Sequence, residues 1–486
     1  MKREIFFVCL AIVLAALLRF YRLPTDLLFH RDQGMHALGI WQVWHEGQIK
    51  LLGHSTDVDG IYHGPWYYWL MVPAYALSGG DPLAAISWQI FLELLSLPLF
   101  YLAIKRIFNR QTAQISLILY AVSFLLLGYS RWLNNVGPLL TVVNILLWTL
   151  TKLSANSKKG HYFAIGLLCG LASQLNGAVG FALIPTVILS IRPRISVPRI
   201  IMVLLGIVVL LFPQVAFELR HNFVEIRAVL TFIRSSSGGG FSFWTLFANM
   251  KEYLHQIGYL ASFQLPLIGI ALFSLGIFSL RHHPQRNLVF AWLLLPPLTL
   301  ALFKRGALGF FYVFNFGLAL SVIAYTLQQT RRRWGLLIFL LILALNLYHG
   351  RRLLKPDNGL TPIGDANIIT LQDRKYVLDF IYQTSQGKPF ALWTYTLPYY
   401  QDDALLYMFV WYGQSRLGRQ PLKIGGFSPA DLKTPYHFYA VYEPDEARPW
   451  RLNVWLTELE TNFGQPLAVY RSHGIIAAWY GQVVPK

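Results

Sequence analysis

The sequence predicts a polytopic α-helical membrane protein that ends in a small α/β domain. Of its 486 residues, 55% are hydrophobic and 13% are charged. Apolar runs of about 20 residues, the length that crosses a bilayer, recur through the first 350 positions. From about residue 351 these runs shorten, and acids, prolines and glycines appear between them, as in soluble domains. We therefore expect a transmembrane domain over 1–350 and a separate domain over 351–486.

About eleven segments are apolar and long enough to be transmembrane helices. They lie at 4–20, 84–104, 112–129, 136–152, 161–176, 178–192, 199–217, 257–280, 287–303, 308–327 and 334–349. The short loops on one side of these spans carry most of the lysines and arginines, and such loops stay in the cytoplasm. This places the first loop, at about 21–83, the loop 218–256 and the whole C-terminal domain outside the cytoplasm.

The positive charge of the chain follows from this topology. The net charge is +18, and much of it sits in the cytoplasmic loops, where anionic lipid headgroups attract it. Membrane lipids are therefore the expected partners, and nucleic acid is not. The basic N-terminus precedes a short apolar core without a clear cleavage site, which favours an uncleaved signal anchor. Arg19 and Arg22, at its outer end, are expected to reach the headgroups.

The segment after residue 351 reads as a small extracytoplasmic α/β domain. Strands are predicted at 389–396 and 436–443, helices at 402–412 and 450–462, and a closing hairpin at 466–471 and 474–480. The two cysteines, Cys9 and Cys169, both fall in predicted spans. This domain therefore has no cysteine with which to form a disulfide.

The first external loop holds the most informative polar residues. It begins with His30-Arg31-Asp32-Gln33-Gly34-Met35-His36 and continues with Asp57-Val58-Asp59-Gly60-Ile61-Tyr62-His63-Gly64-Pro65-Trp66-Tyr67-Tyr68. Charged groups beside a bilayer are costly, so such a cluster points to a functional site. The aromatic stretch 65–78 is short for a span and predicts a helix at the membrane interface.

Several motifs resemble those of the protein O-mannosyltransferase and aminoarabinose-transferase relatives among the GT-C glycosyltransferases. The similarity is densest in the first hundred residues, and it rests on Leu18-Arg19-Phe20-Tyr21-Arg22-Leu23-Pro24, Arg31-Asp32-Gln33-Gly34, Leu51-Leu52-Gly53-His54-Ser55-Thr56, Tyr62-His63-Gly64-Pro65-Trp66-Tyr67-Tyr68 and Gly80-Asp81-Pro82. The resemblance implies a GT-C-like fold. It also implies an inverting enzyme that moves a sugar from a polyprenyl-phosphate carrier to an acceptor outside the cytoplasm, be it a protein, a lipid-linked glycan or a wall polymer.

The same resemblance implies that Asp32 is catalytic, because the acid of the first external loop has that role in the family. Members often carry a second acid directly after it, whereas this chain has Gln33. Transfer to a hydroxyl or an amine calls for a base near the nucleophile. An ordinary aspartate, with a pKa near 3.9, is a weak base, so Asp32 is expected to orient the acceptor and stabilise positive charge as well.

The leaving group in such a reaction is a lipid phosphate, which needs cations. Lys304 and Arg305 are the strongest candidates because they lie on the external side, against the inside bias of the other loops. Arg131 and His63 complete the expected phosphate contacts, and arginine suits bidentate phosphate binding. Contact with lipid headgroups alone is the alternative for Lys304 and Arg305.

Other polar and aromatic residues of the loop are candidate contacts to acceptor or sugar. These are Arg31, Gln33, His36, Asp59, Tyr62, Trp66 and Tyr67. Asp59 fits a turn before Gly60 equally well, and the aromatic residues also suit interface anchoring. The sequence establishes no cofactor with certainty. A divalent metal held by His30, His36 and His63 stays an open alternative, although the spacing matches no defined metal motif.

Two other classes of function remain open. A transporter or flippase for a lipid-linked saccharide would show broken helices in two related halves and ionisable groups near the midplane, whereas the acids here cluster at one surface. No phosphate-cradling loop is present, which disfavours an ATP-driven pump. A membrane scaffold would tolerate replacement of Asp32. We expect an integral protein of the plasma membrane of a prokaryote, with the site and the C-terminal domain outside the cytoplasm.

Overall fold

The computed structural model describes residues 2–154, 156–191, 196–235, 242–302, 306–350, 369–398, 401–414, 418–426 and 432–484. The chain divides into two compact units. The first unit comprises Met1–Tyr21, Gln48–Met71 and Ile86–Arg352, and the second comprises Arg22–Gly47, Val72–Ala85 and Leu353–Lys486. The second unit thus includes two pieces of the predicted first external loop in addition to the predicted C-terminal domain.

Helices dominate the described part of the chain up to residue 350. In chain order they are α1 Lys2–Phe20, α2 Leu23–Asp26, α3 Arg31–Trp44, α4 Trp66–Ser78, α5 Pro82–Ile107, α6 Arg110–Val122, α7 Phe124–Ser130, α8 Leu139–Thr151, α9 Lys159–Leu175, α10 Gly177–Ile191, α11 Val197–Arg220, α12 Val224–Arg234, α13 Phe243–Ala261, α14 Pro266–Ser279, α15 Arg286–Leu300, α16 Phe316–Gln329 and α17 Arg332–Gly350.

Within the described residues, each predicted span overlaps at least one helix. Among the described residues, four helices are long and apolar enough to cross a membrane, namely Pro82–Ile107, Val197–Arg220, Gly309–Gln329 and Arg332–Gly350. The number rises to six if two bent helix pairs each count as one span. The count of about eleven spans stays a prediction. The segment predicted as a helix at 65–78 is helical as α4, with bounds Trp66–Ser78, and its position at the membrane interface stays a prediction.

Two spans that we predicted as single helices are each broken into two helices. The prediction of a single helix was therefore wrong for both. The segment 257–280 contains the end of α13 and all of α14, which meet at a bend of 104°. Ser262 follows α13 and its hydroxyl accepts a hydrogen bond from the Leu265 amide, after which Pro266 starts the new helix. The segment 112–129 bends by 62° between α6 and α7. There the Phe124 amide donates to the side chain of Asn346.

Arg19 is buried in the first unit, so the expectation that it reaches the headgroups was wrong. Its guanidinium donates to both carboxylate oxygens of Glu93, at 2.9 and 3.2 Å, and to the Ser130 hydroxyl at 3.1 Å. It also donates to the carbonyls of Ala15 and Ala121. Arg19 has no exposed surface and Glu93 is 2% exposed. A paired and fully hydrogen-bonded charge is the form in which an arginine can be buried.

The second unit contains a four-stranded sheet. Its strands are β1 Phe390–Tyr395, β2 Tyr436–Tyr442, β3 Ala468–Ser472 and β4 Ile475–Val483, in the order β1-β2-β4-β3. Strands β1 and β2 are parallel, with Leu392 opposite Tyr439, and the other pairs are antiparallel. The predicted strands and closing hairpin lie at these positions. Three helices accompany the sheet, α18 Leu371–Ser385, α19 Asp403–Met408 and α20 Pro449–Phe463.

The two faces of β1 and β2 are buried, which explains their continuous apolar sequence. One face packs on α20 through a core of Ala391, Trp393, Tyr395, Phe438, Trp455 and Leu459. Helix α18 was not predicted from the sequence. It begins with a capping box in which Thr370 and Asp373 exchange hydrogen bonds.

The segment that carries α2 and α3 is bound to α18 by backbone hydrogen bonds within the second unit. The Phe29 amide donates to the Ile369 carbonyl at 3.1 Å, and the Leu371 amide donates to the Leu27 carbonyl at 2.8 Å. The Arg374 guanidinium adds a hydrogen bond to the Phe29 carbonyl. The start of α3 is therefore held by residues from the C-terminal part of the chain.

Candidate functional site

Asp32 lies in the first turn of α3, where a carboxylate is favoured by the helix dipole. Its side chain is 53% exposed, and its Oδ1 lies 3.7 Å from Nη1 of the neighbouring Arg31. The helix start is fixed by Gln33, whose side-chain oxygen accepts the His30 amide at 2.9 Å. Gln33 is 2% exposed. The residue that stands where the family often has a second acid therefore caps the helix.

Helix α3 lies against α19 at a point that only glycine allows. A Cβ atom on Gly34 would lie 2.3 Å from the Ala404 Cα and 2.6 Å from the Asp403 carbonyl carbon. This close approach brings the side chain of Asp403 to Arg31, whose Nε lies 3.7 Å from the Asp403 Oδ2. Arg31 thus stands between two carboxylates, those of Asp32 and Asp403.

The acids at the start of α19 are partly buried. Asp402 accepts hydrogen bonds from the hydroxyls of Thr394 at 2.9 Å and Thr396 at 3.0 Å. Burial raises the pKa of Asp402, and these hydrogen bonds oppose the rise. Burial also raises the pKa of Asp403, against the nearby charge of Arg31. The β1 strand therefore fixes Asp402 and, through the chain, the position of Asp403.

A buried ion pair supports the same region. Arg374 of α18 donates to Glu443 at 3.0 Å, and each side chain is 2% exposed. The other carboxylate oxygen of Glu443 accepts the Leu397 amide at 3.0 Å. Burial raises the pKa of Glu443, while the charge of Arg374 opposes that rise. The pair joins α18 to the ends of β1 and β2.

The two histidines that flank Asp32 are buried to different extents. His30 is partly buried, and its Nε2 accepts the Ile369 amide at 3.3 Å. Burial, and then the positive charge of Arg374, lower the pKa of His30 to about 3. His36 is 2% exposed. At neutral pH, His30 is therefore an uncharged hydrogen-bond acceptor that helps to hold the start of α3.

The remaining predicted contacts that the structure describes lie in the first unit. The Tyr62 amide donates to the carboxylate of Glu225, on α12, at 3.0 Å. Gln214 donates to the same carboxylate at 3.4 Å and to the Tyr62 carbonyl at 3.5 Å. Burial raises the pKa of Glu225. These contacts fix the loop that carries Tyr62 and His63 against α11 and α12.

Asp59 occupies the turn that the sequence allowed for it. The Ile61 amide donates to the Val58 carbonyl at 3.0 Å, and Gly60 has a φ of +77°, a conformation that favours glycine. Asp59 is exposed. His63 follows with its ring 4.4 Å from that of His54. Burial lowers the pKa of His63 to about 4, so at neutral pH it can offer hydrogen bonds but no charge.

Arg131, Trp66 and Tyr67 are packed within the first unit. Arg131 ends α7, is 3% exposed and donates to the Tyr21 carbonyl at 3.1 Å. The Trp66 indole donates to the Leu210 carbonyl at 2.8 Å, and Tyr67 is 2% exposed. The aromatic residues of this motif thus anchor α4 to the helix bundle.

Lys304 and Arg305 lie outside the described residues. The described residues nearest to them on the C-terminal side are fixed by Asn249, whose side-chain oxygen accepts the Ala307 amide at 2.7 Å. In the described part of the chain, no group of three or more His, Cys, Asp or Glu side chains is arranged to hold a metal ion. Of the three histidines weighed as metal ligands, His30 and His36 belong to the second unit and His63 to the first.

One protein family matches part of this chain. Residues 62–217 fit the family model described as dolichyl-phosphate-mannose-protein mannosyltransferase. The match includes Tyr62, His63 and Arg131, and it begins after Asp32. No curated protein sequence matches the chain.

Solved structures of membrane glycosyltransferases share the fold. ArnT from Cupriavidus metallidurans in the apo state superposes with a TM-score of 0.64 at 15% identity, over 97% of each chain. The same protein bound to undecaprenyl phosphate gives 0.62 at 14% identity, over 97% of this chain and 98% of ArnT. The apo oligosaccharyltransferase of Archaeoglobus fulgidus gives 0.50 at 12% identity, over 99% of this chain and 75% of that one.

The fold is therefore that of the GT-C membrane glycosyltransferases, and the resemblance inferred from the motifs is confirmed. The described residues also include helices that are long and apolar enough to cross a membrane, within an ArnT-like architecture.

Sequence reasoning missed Asp403 and Glu225, the two acids that contact the predicted residues most directly. The Asp402-Asp403 pair at the start of a predicted helix was a visible signal. Nothing local, however, indicates that it meets Arg31, which lies near the other end of the chain.

Proposed function

We propose that the chain is an inverting glycosyltransferase that moves a sugar from a polyprenyl-phosphate carrier to an acceptor outside the cytoplasm. The observation that carries this proposal is the exposed carboxylate of Asp32 beside Arg31, at the start of a helix in a GT-C fold. An exposed acid in that position can reach an acceptor. The fold is shared with ArnT, which was solved bound to undecaprenyl phosphate, and this supports a polyprenyl-phosphate donor.

In the proposed reaction, an oxygen or nitrogen of the acceptor attacks the anomeric carbon of the sugar. A new bond forms to that carbon as the bond to the phosphate oxygen breaks, so the configuration inverts and the polyprenyl phosphate leaves with the electron pair. Asp32 accepts a hydrogen bond from the nucleophile and takes its proton. The negative charge of Asp32 also stabilises the positive charge that develops on the sugar ring.

The phosphate leaving group requires positive charge and hydrogen-bond donors. Lys304 and Arg305 remain the proposed source of charge, with Arg131 as a further candidate. His63 is neutral at pH 7, since its pKa is lowered to about 4, so its proposed part is to donate a hydrogen bond. Arg31, Tyr62 and the other loop residues named from the sequence remain proposed contacts to sugar or acceptor.

The site and the second unit are proposed to face the exterior of a prokaryotic plasma membrane, where lipid-linked sugars and cell-envelope acceptors meet. The positive-inside distribution of the short loops supports this orientation. The alternative is a transporter or flippase for a lipid-linked saccharide. The two bent helix pairs are compatible with it, whereas the ArnT-like fold supports the transferase.

The test is a transfer assay with the purified protein in liposomes. A panel of polyprenyl-phosphate sugars is offered together with acceptors extracted from membranes, and the anomeric configuration of the product is compared with that of the donor. We expect transfer with one donor class and inversion at the anomeric carbon. A product with retained configuration would contradict the single-displacement mechanism, and movement of intact donor across the bilayer without transfer would favour the flippase.

A further inference from the structure

Arg31 is shared between two acids, one beside it on α3 and one on α19. Its Nη1 lies 3.7 Å from the Asp32 carboxylate, and its Nε lies 3.7 Å from the Asp403 carboxylate. The side chains of Arg31 and Asp403 are each 30% exposed, and that of Asp32 is 53% exposed. The Asp32 side chain is therefore the most exposed of the three, whereas the Arg31 Nε that faces Asp403 is itself buried.

The position of Asp403 is fixed from two sides. The glycine contact between Gly34 and Ala404 sets the distance between the starts of α3 and α19. On the other side, Asp402 is tied to β1 by the hydroxyls of Thr394 and Thr396. The backbone at Asp403 is thus held opposite Arg31, and its carboxylate lies 3.7 Å from the Arg31 Nε, close enough to act on the charge that Arg31 presents to Asp32.

We propose that Asp403 is a positioning residue of the transfer reaction, one that acts on Asp32 by drawing Arg31 and its charge away from it. This inference rests on the proposed function, in which Asp32 is the acid that contacts the acceptor. The chain lacks a second acid next to Asp32, because Gln33 is used to cap α3. Asp403 supplies a second carboxylate from a distant part of the chain.

The direction of the effect follows from electrostatics. Arg31 stabilises the ionised form of Asp32, which makes Asp32 a weaker base. Asp403 competes for Arg31 and also adds its own negative charge, and both effects make Asp32 easier to protonate and therefore a stronger base. Removal of the Asp403 charge should leave Asp32 ionised to lower pH. The acid limb of the activity profile, where protonation of Asp32 stops transfer, should then move to lower pH.

Other charged groups near α19 set the background for this experiment. Asp402 precedes Asp403 and adds negative charge, and Arg374 of α18 acts on Asp402 from the opposite side. The charge of Arg31 opposes the rise in the pKa of Asp403. A change at Asp403 is therefore expected to act mainly on Arg31 and, through it, on Asp32.

The experiment measures kcat/KM for sugar transfer against pH, with the full-length protein in liposomes. For Asp403→Asn we expect the acid limb to move down by about half a pH unit, the size typical of a partly exposed ion pair. The ratio of variant to wild-type rate should therefore rise as the pH falls. Asp403→Glu should restore the wild-type profile. Arg31→Gln should move the limb in the opposite direction, to higher pH.

The matched control is Asp379→Asn, which neutralises another partly buried acid of the second unit, one that accepts the Tyr412 hydroxyl. It should leave the acid limb in place. In the Arg31→Gln background, Asp403→Asn should move the limb by less than half of its effect in the wild type. An undiminished shift there would overturn the claim that Asp403 acts through Arg31.

Three results separate this inference from the proposed function. A uniform loss of rate at every pH in Asp403→Asn would overturn the inference and leave the function standing. If that variant does not fold, an unchanged limb in Arg31→Gln would overturn it equally. Full transfer by an Asp32→Asn variant, in contrast, would overturn the proposed function itself.

Discussion

The contact between Gly34 and α19 can be tested by adding a single methyl group. In Gly34→Ala, the new Cβ would lie 2.3 Å from the Ala404 Cα and 2.4 Å from the Ala404 nitrogen, where ordinary contacts begin at 3.4 Å. The helices must therefore separate by about 1 Å. Because backbone atoms cannot turn aside as a side chain can, we expect a cost near the upper end of the range for overpacking, about 3 kcal/mol.

The same displacement should carry Arg31 away from Asp403 and move Asp32 from its place. A misplacement of about 1 Å can lower a rate by roughly 100-fold. For a unit of this size, a loss of about 3 kcal/mol corresponds to a Tm lower by roughly 6–12 °C. The assays are thermal unfolding in detergent, followed by tryptophan fluorescence, and sugar transfer under the same conditions.

Gly160→Ala is the matched control for this substitution. Gly160 also lies near the start of a helix, α9, and an added Cβ there would meet nothing within 4 Å. It should be neutral or raise the stability by about 0.5 kcal/mol, since alanine is the better helix former. If Gly34→Ala unfolds at the wild-type temperature and transfers sugar at the wild-type rate, the packing of α3 on α19 is not as described.

Three further predictions concern ionisable groups that are wholly or partly buried. Glu93→Gln leaves Arg19 buried without its counter-charge and should destabilise the first unit by about 3–5 kcal/mol, as measured by denaturant or thermal unfolding. Glu443→Gln should have a similar effect on the second unit, because Arg374 then loses its partner. His30 folds in its neutral form, with a pKa lowered to about 3. The unfolded state therefore binds more protons, so stability should fall by about 1 kcal/mol for each pH unit below about 6.5. His30→Gln should flatten this dependence between pH 6.5 and 5 in a series of unfolding curves.

A specific experimental result would contradict each of these predictions. If Glu93→Gln or Glu443→Gln had the same unfolding free energy as the wild type, the corresponding ion pair would not be buried in the folded protein. An unchanged slope of stability against pH in His30→Gln would show that His30 titrates normally. Asp379→Asn, which removes the charge of a less buried acid, serves as the control for the loss of a single charge.

Local patterns in the sequence predicted most of the elements. The split between α9 and α10 at Asn176 and Gly177 was visible as an amide and a glycine between two apolar runs, and the structure ends α9 at Leu175 and begins α10 at Gly177. The strands of the second unit were predicted from short apolar runs bounded by turn residues. Such features depend on residues close together in the chain, which is why the sequence alone reveals them.

The features that were not predicted depend on residues far apart in the chain. At the break at Ser123, the Phe124 amide donates a hydrogen bond to the side chain of Asn346. No local pattern in the sequence indicates that partner. The burial of Arg19 requires Glu93 on another helix. From sequence alone, a lone arginine at the end of an apolar run is interpreted as a headgroup contact. Only the structure shows which acid is its counter-charge.

The candidate site shows the same division. Asp32 was identified through a motif that resembles a known family, and that assignment stays a prediction until transfer is measured. The union of the segment 22–47 with the C-terminal residues of the second unit was not foreseen, because it rests on backbone hydrogen bonds such as that from Phe29 to Ile369. Asp403 could be placed opposite Arg31 only once those contacts were known.

The central claim is that Asp32 is the acid at which sugar transfer occurs. The most direct measurement compares sugar transfer by the wild type, Asp32→Asn and the control Asp57→Asn, an exposed acid of the same predicted loop, with the same polyprenyl-phosphate donor. We expect Asp32→Asn to lose at least 100-fold in rate while it still binds polyprenyl phosphate, and Asp57→Asn to keep the wild-type rate. Equal rates for Asp32→Asn and the wild type would contradict the account.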